Sequence, residues 1–221
     1  MQLLSINTSL PKLIKHNGSE LMSGIFKQAI SGSVFVSKQN IKGDGQADLD
    51  NHGGGHKAVY AFSADYYAYW QELLKNPGLK PGAFGENLTI IALDESALHI
   101  GDQLAIGEVV LEVSQPRVPC LKLGIALNNK NAPKLFIDTY STGVYFRVVT
   151  EGYINTNDTI SIVKRSPYAI SVKALFKAFF DKSQDDANEV LAAGLEVPEL
   201  SSEWREHIEK RLFGDSASMA I

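Results

Sequence analysis

The chain has 221 residues, 44% of them hydrophobic and 21% charged, with a mean hydropathy of −0.07, values of a globular protein long enough for one core and a small appendage. Its 21 Lys and Arg stand against 25 Asp and Glu, so no overall positive field draws in nucleic acid or an anionic membrane, although local basic groups can hold a small anion. A single cysteine, Cys120, excludes an internal disulfide and any multi-thiolate zinc or iron–sulfur site built by one chain, and it suits a reducing compartment.

Residues 1–12 carry no basic stretch followed by a long apolar run, and no window approaches the roughly 18 apolar residues of a membrane span. A cytoplasmic protein with no membrane or nucleic-acid partner is expected. Over residues 1–165, short apolar and β-branched runs separated by Gly, Asn and Asp turns predict strands at 1–6, 33–36, 58–62, 87–91, 103–106, 109–113, 143–149 and 159–163, the pattern of a barrel or sandwich. Gly107 marks a hairpin corner between two of them. One helix interrupts the series, capped by Ser63 and carrying Tyr66, Tyr69, Trp70, Leu73 and Leu74; a second covers 132–138. Beyond Pro167 the period lengthens toward 3.6. Ser171 caps a helix whose face is Val172, Leu175, Phe176, Phe179 and Phe180. Ser183 with Asp186 reads as a capping box closed by a stop at Gly194, and Ser201 opens a third helix with Trp204, Ile208 and Leu212 before Gly214. The expected organisation is a β domain over 1–165, a three-helix unit over 166–215 and a loose tail over 216–221.

Chemistry concentrates in a few stretches. Gly43-Asp44-Gly45-Gln46-Ala47-Asp48-Leu49-Asp50-Asn51-His52-Gly53-Gly54-Gly55-His56-Lys57 is too polar and glycine-rich for core. It reads either as a long hairpin loop or as a cradle whose backbone N–H groups surround an anion beside His52, His56 and Lys57. An EF-hand reading from Asp48 fails, because Val59 stands where a bidentate Glu is required. His52 and His56 have a helical zinc spacing, but the glycines between them are poor helix formers and a third and fourth ligand are missing. In Ser114-Gln115-Pro116-Arg117-Val118-Pro119-Cys120 two prolines stiffen a turn that fixes the Arg117 guanidinium relative to the Cys120 thiol. A nearby cation stabilises thiolate, the form that ligates soft metals; the alternative is a buried, inert cysteine. Glu86, Asn87 and Asp102 sit in turn-forming sequences. Arg147 lies within an apolar strand and needs an anionic partner, in the protein or in a ligand.

In this order, Gly43-Asp44-Gly45-Gln46-Ala47-Asp48, His52-Gly53-Gly54, Ala58-Val59-Tyr60, Tyr69-Trp70, Phe84-Gly85-Glu86-Asn87-Leu88, Gly101-Asp102, Ser114-Gln115-Pro116-Arg117 with Pro119-Cys120, and the run from Gly143 to Arg147 resemble the MOSC family, most closely its YiiM-like branch. Each motif is weak alone; their order and spacing carry the resemblance, which spans residues 40–165 and extends through the trailing helices. It implies a mainly β fold with added α, namely a distorted closed β-barrel followed by a small three-helix C-terminal unit. It also implies a molybdenum cofactor (molybdopterin) whose metal is bound by Cys120, and reduction of N-hydroxylated compounds such as N-hydroxylated purine bases, with electrons from a separate reductase. The residue chemistry agrees: His52, Gly53, Gly54, Lys57, Arg117 and Arg147 suit the anionic end of such a cofactor, and Asn87 suits a heterocycle edge. His52, with a near-neutral unperturbed pKa, is a candidate proton donor, the alternative being a purely structural histidine.

No dinucleotide-binding glycine fingerprint follows a strand, so the electrons must come from a partner protein. Zinc, iron–sulfur clusters and pyridoxal phosphate are not expected. A sulfur-carrier module bearing a persulfide on Cys120 is the alternative; a cysteine hydrolase would need His52 or His99 as base and has no local signature. The Phe176, Phe179 and Phe180 face is compatible with a homodimer. Two features depart from the family pattern: the extra Gly55-His56 before Lys57, and Asn157-Asp158 in place of a Gly-Asp turn, where Asn can also take a positive φ.

Overall fold

The computed structural model describes residues 1–16, 18–46 and 54–214. Its strands are β1 (Gln2–Thr8), β2 (Lys12–His16), β3 (Ser19–Ser23), β4 (Gln28–Ile30), β5 (Val34–Val36), β6 (Val59–Ser63), β7 (Leu88–Ile91), β8 (Gln103–Ile106), β9 (Val109–Pro116), β10 (Val144–Thr150), β11 (Gly152–Ile154) and β12 (Ile160–Lys164). The helices are α1 (Tyr67–Leu73), α2 (Leu121–Ala126), α3 (Ala132–Thr139), α4 (Val172–Phe180), α5 (Ala187–Leu195) and α6 (Ser202–Phe213).

Eight strands form one mixed sheet in the order β12-β8-β9-β10-β6-β7-β1-β4, with β6 and β7 parallel and the other neighbours antiparallel. The architecture is therefore a mixed sheet with C-terminal helices. No closing ladder joins its two ends among the described residues, unlike the expected ring. A single bridge, Gln2 to Thr159, does bring β1 beside the approach to β12, with Leu3 N–H donating to Asp158 O and Ile160 N–H to Met1 O, both at 3.0 Å.

Strand β6 explains why the molecule has two apolar clusters. Its successive side chains point to opposite faces, and all five residues are buried. Val59 and Ala61 join the main cluster with Leu3, Ile6, Leu111 and Phe146, whereas Tyr60 and Phe62 join an aromatic cluster with Trp70, Phe84 and Phe136 under α1 and α3. The main cluster continues without interruption into the C-terminal helices through Leu175, Phe176, Trp204 and Ile208.

All eight predicted strands are present, as are the helices after Ser63 and at 132–138 and the three C-terminal ones. Gly107 takes φ +54° at the β8–β9 corner, and Asn157 takes φ +72°, keeping its turn without glycine. Ser171 and Ser201 cap α4 and α6 by accepting Ala174 N–H and Trp204 N–H. Two local readings are corrected. Ser183 donates to Asp181, and α5 begins beyond Asp186 with no side-chain cap, so the capping box does not form. Gly194 lies inside α5 rather than ending it. A Cβ there would stand 2.9 Å from Leu175 Cδ1, so the glycine permits close packing of α5 on α4.

Candidate functional site

The site is built around the turn that follows β9. Pro116 O accepts the Trp204 indole N–H from α6 at 3.1 Å, and Arg117 N–H donates to Gly143 O at 3.2 Å. Gly143 has φ +88°, and a Cβ there would lie 2.5 Å from both Ala61 O and a Tyr60 ring carbon. Only glycine lets this backbone pass between β6 and the arginine turn. The Tyr60 hydroxyl donates to Thr142 O at 2.7 Å, which fixes its ring beneath Arg117.

Arg117 is 5% exposed. Its guanidinium carbon lies 4.8 Å from the Tyr60 ring centroid and 5.6 Å from that of Phe136. Burial pushes the Tyr60 and Tyr145 phenols above their usual range, so at neutral pH both meet the guanidinium uncharged. No carboxylate pairs with Arg117 among the described residues, and its Nη1 is buried without a hydrogen-bond partner. Aromatic faces offset part of the cost of a buried cation, but they leave Nη1 unfilled.

Two cavities flank the turn and share Lys57, Val118, Cys120, Lys122 and Tyr145. The narrower, about 100 Å³, holds Arg117 together with Lys27, Asp44, Gln46, Tyr60 and Asn87. The wider, about 410 Å³, is walled by Gln115, Leu21, Pro119 and Leu121, with Glu203 and His207 from α6. Half-buried Cys120 borders both. In the narrow cavity Lys27 pairs with Asp44, whose carboxylate also accepts Ser9 N–H at 2.9 Å and Asn87 Nδ2–H at 2.8 Å. Burial draws the Lys27 pKa down against the opposing pull of Asp44. Lys57 pairs with Glu203. With those pairs closed, Arg117 supplies the cavity's buried charge without a carboxylate partner among the described residues, a setting for an anion.

Of the residues singled out from the sequence, Lys57, Asn87, Arg117 and Cys120 come together on these cavities. His52 and Gly53 lie outside the described residues. Gly54 takes φ +87° and turns the chain into a short 3₁₀ segment, Gly55–Lys57, without lining either cavity. The Asn87 side chain is committed within the protein. Its Oδ1 accepts Tyr60 N–H at 3.1 Å, and its amide nitrogen serves Asp44 and Asn7 O. Arg147 also lies away from the cavities, because β10 alternation turns it from the core-facing Phe146. It pairs with Glu112 at 2.7 Å and donates to Glu199 O at 2.6 Å, so its anionic partner is in the protein. His56 Nδ1 stands 2.7 Å from Arg147 Nη2 and must accept from that guanidinium. Burial, then the Arg147 and Lys57 charges, hold His56 below its usual pKa. Lys27, Tyr145, Gln115 and Glu203 were not singled out. Tyr145 and Gln115 lay inside recognised motifs; Lys27 had no pattern to mark it.

A mixed-sheet domain whose one thiol borders a cavity with a buried arginine, completed by three C-terminal helices, sets the class of protein by fold and site. Comparison with known proteins narrows the class: the MOSC domain matches residues 48–161, and the chain belongs to that family. The YiiM-like, 3-alpha helix domain matches residues 170–213. The chain is 37% identical to YflK of Bacillus subtilis over 210 residues, 94% of this chain and 93% of that protein. It is 40% identical over 154 residues to a protein of Gibberella moniliformis named a reductase, covering 68% of this chain and 27% of that protein. Among solved structures, YiiM from Geobacillus stearothermophilus superposes with a TM-score of 0.80 at 32% identity, over 96% of this chain and 98% of that one. No described helix is long and apolar enough to cross a membrane.

Proposed function

We propose that the protein binds the molybdenum cofactor and reduces N-hydroxylated compounds, N-hydroxylated purine bases among them, with electrons delivered by a separate reductase. The observation that carries this reading is Arg117: a buried guanidinium with an orphaned Nη1, in a cavity that also holds the chain's one thiol. A pterin phosphate and a soft metal answer those two groups together. Membership of the MOSC family and a relative named a reductase support the same direction. The structural reading that accompanies it is a sheet closed into a barrel through the Gln2–Thr159 bridge. The setting is the cytoplasm.

When bound, the cofactor supplies the oxygen-accepting redox chemistry. The chain's residues bind and orient. Arg117 Nη1 would donate to the anionic end, the Lys27–Asp44 pair lines the same cavity, and the Cys120 thiolate would ligate the metal. Protonated Tyr60 and Tyr145 flank the guanidinium and keep water from it. Glycine at 143 keeps this wall close-packed, so the guanidinium cannot swing away.

The test is expression in a molybdopterin-competent host, followed by metal analysis and pterin extraction. The parent protein should carry both. Cys120→Ser should lose molybdenum while retaining Arg117-dependent anion binding, and Arg117→Met should lose the pterin by about ten- to hundredfold, the range for a charge-assisted hydrogen bond. A metal-free, pterin-free parent overturns the reading. A labile persulfide on Cys120 in that preparation would favour the sulfur-carrier alternative.

A further inference from the structure

We propose that the wider cavity seats the substrate's N–H-bearing edge, with Gln115 Oε1 as its hydrogen-bond acceptor and Glu203 of α6 as the residue that fixes the Gln115 amide. This rests on the reading of the protein as a reductase of N-hydroxylated bases and adds where the base sits. Gln115 is 2% exposed, and its Oε1 is buried with no partner among the described residues. Its amide nitrogen is 3.3 Å from Glu203 Oε2 and 3.5 Å from Pro116 O.

Both neighbours are oxygens that can only accept, so the nitrogen must face them and the oxygen must point the other way. The amide orientation is therefore set by chemistry, and it leaves an unfilled, enclosed acceptor on a residue that lines a cavity reaching Cys120. Lys57 neutralises Glu203, so the cavity offers this acceptor without a net anionic charge. Leu21, Pro119 and Leu121 provide apolar walls for a planar ring. At about 410 Å³ the space falls within the range of small-molecule pockets, ~300–1,000 Å³. A neutral planar base carrying an N–H or N–OH donor fits this chemistry. An aromatic N-oxide without such a donor leaves Oε1 unfilled and should be discriminated against by about tenfold or more.

The experiment uses the full chain loaded with cofactor, 6-hydroxylaminopurine as substrate and a chemical reductant. Gln115→Met should raise KM at least about tenfold, leave kcat within about twofold and leave molybdenum and pterin content unchanged. Glu203→Gln should raise KM by less, because a neutral amide no longer dictates the Gln115 orientation. Added to Gln115→Met, it should change nothing further, whereas a merely structural Glu203 would add its own effect. Independently of turnover, titration calorimetry should show adenine binding to cofactor-free parent and loss of that binding in Gln115→Met.

An unchanged KM in Gln115→Met, in an active parent, overturns the inference and leaves the reductase reading intact. Loss of pterin from that variant also overturns it, since the cavity would then belong to the cofactor. A parent without pterin or activity that still binds adenine through Gln115 supports the subsite while the reductase reading falls. Should Gln115→Met fail to fold, Glu203→Gln carries the same test on a side chain that is 38% exposed, and an unchanged KM and adenine affinity there overturn the proposal.

Discussion

Arg117 concentrates the conflict between stability and function at a single residue. A buried guanidinium without a carboxylate weakens the fold, so Arg117→Met should melt at or above the parent's temperature while losing anion binding. Differential scanning fluorimetry with added inorganic phosphate reads both effects. Phosphate should raise the parent's Tm by mass action and leave the variant's unchanged. Glu95 gives a second prediction. It is 1% exposed, and burial pushes its pKa up to about 8, against the hydrogen bond it accepts from Gly143 N–H at 2.8 Å. Its folded pKa is raised above the ordinary glutamate value of about 4.5, so the folded state holds the extra proton between those values. The linked stability is complete below about 4.5 and lost as pH rises through about 8. Denaturant melts across that window should therefore show stability falling with pH, by at most about 1.4 kcal/mol per unit, and Glu95→Gln should flatten the dependence. Arg117 and Cys120 were legible in the sequence because two prolines frame them. Lys27 was not, because its partner Asp44 is 17 positions away and neither residue lies in a periodic run.

Among the elements, those that bury one face announced themselves and those that bury little did not. β8 matches its predicted bounds because Leu104 and Ile106 alternate with less buried Gln103 and Ala105. The β2–β3 hairpin escaped notice because Leu13 and Met22 are exposed and its pattern is not that of a core strand, while β4 and β11 are each three residues long. The wider cavity was illegible for a related reason: it exists only where α6 docks on the arginine turn, through Trp204 Nε1 to Pro116 O, and local periodicity carries no docking information. Gly143 tests the connection between elements. Gly143→Ala would place a methyl 2.5 Å from Ala61 O and Tyr60 while holding φ near +88°. It should cost at least about 2 kcal/mol in chemical denaturation, from strain alone of order 1–3 kcal/mol plus the clash. Displacing Tyr60 should also weaken phosphate binding at Arg117.

At the scale of the whole molecule, one apolar cluster runs from the sheet into the C-terminal helices, so the three-helix unit and the sheet share a core despite the change in sequence period near Pro167. Shared burial predicts shared unfolding. The two tryptophans make this measurable, because Trp70 lies in the aromatic cluster under α1 and Trp204 lies in the main cluster on α6. Trp70→Phe leaves α6 as the fluorescent reporter, and Trp204→Phe leaves the aromatic cluster. In each variant the fluorescence transition should coincide with loss of far-ultraviolet circular dichroism, at one midpoint. Trp204→Phe should have the lower midpoint relative to the parent, because it also removes the indole bond to Pro116 O. A transition of Trp204 that precedes the dichroism change would instead mean that the helices detach as a unit, taking Glu203 and His207 from the cavity while the sheet remains folded. Coincident transitions make the wider cavity as stable as the core, so Gln115 and Cys120 are held in register by the same interactions that fold the chain.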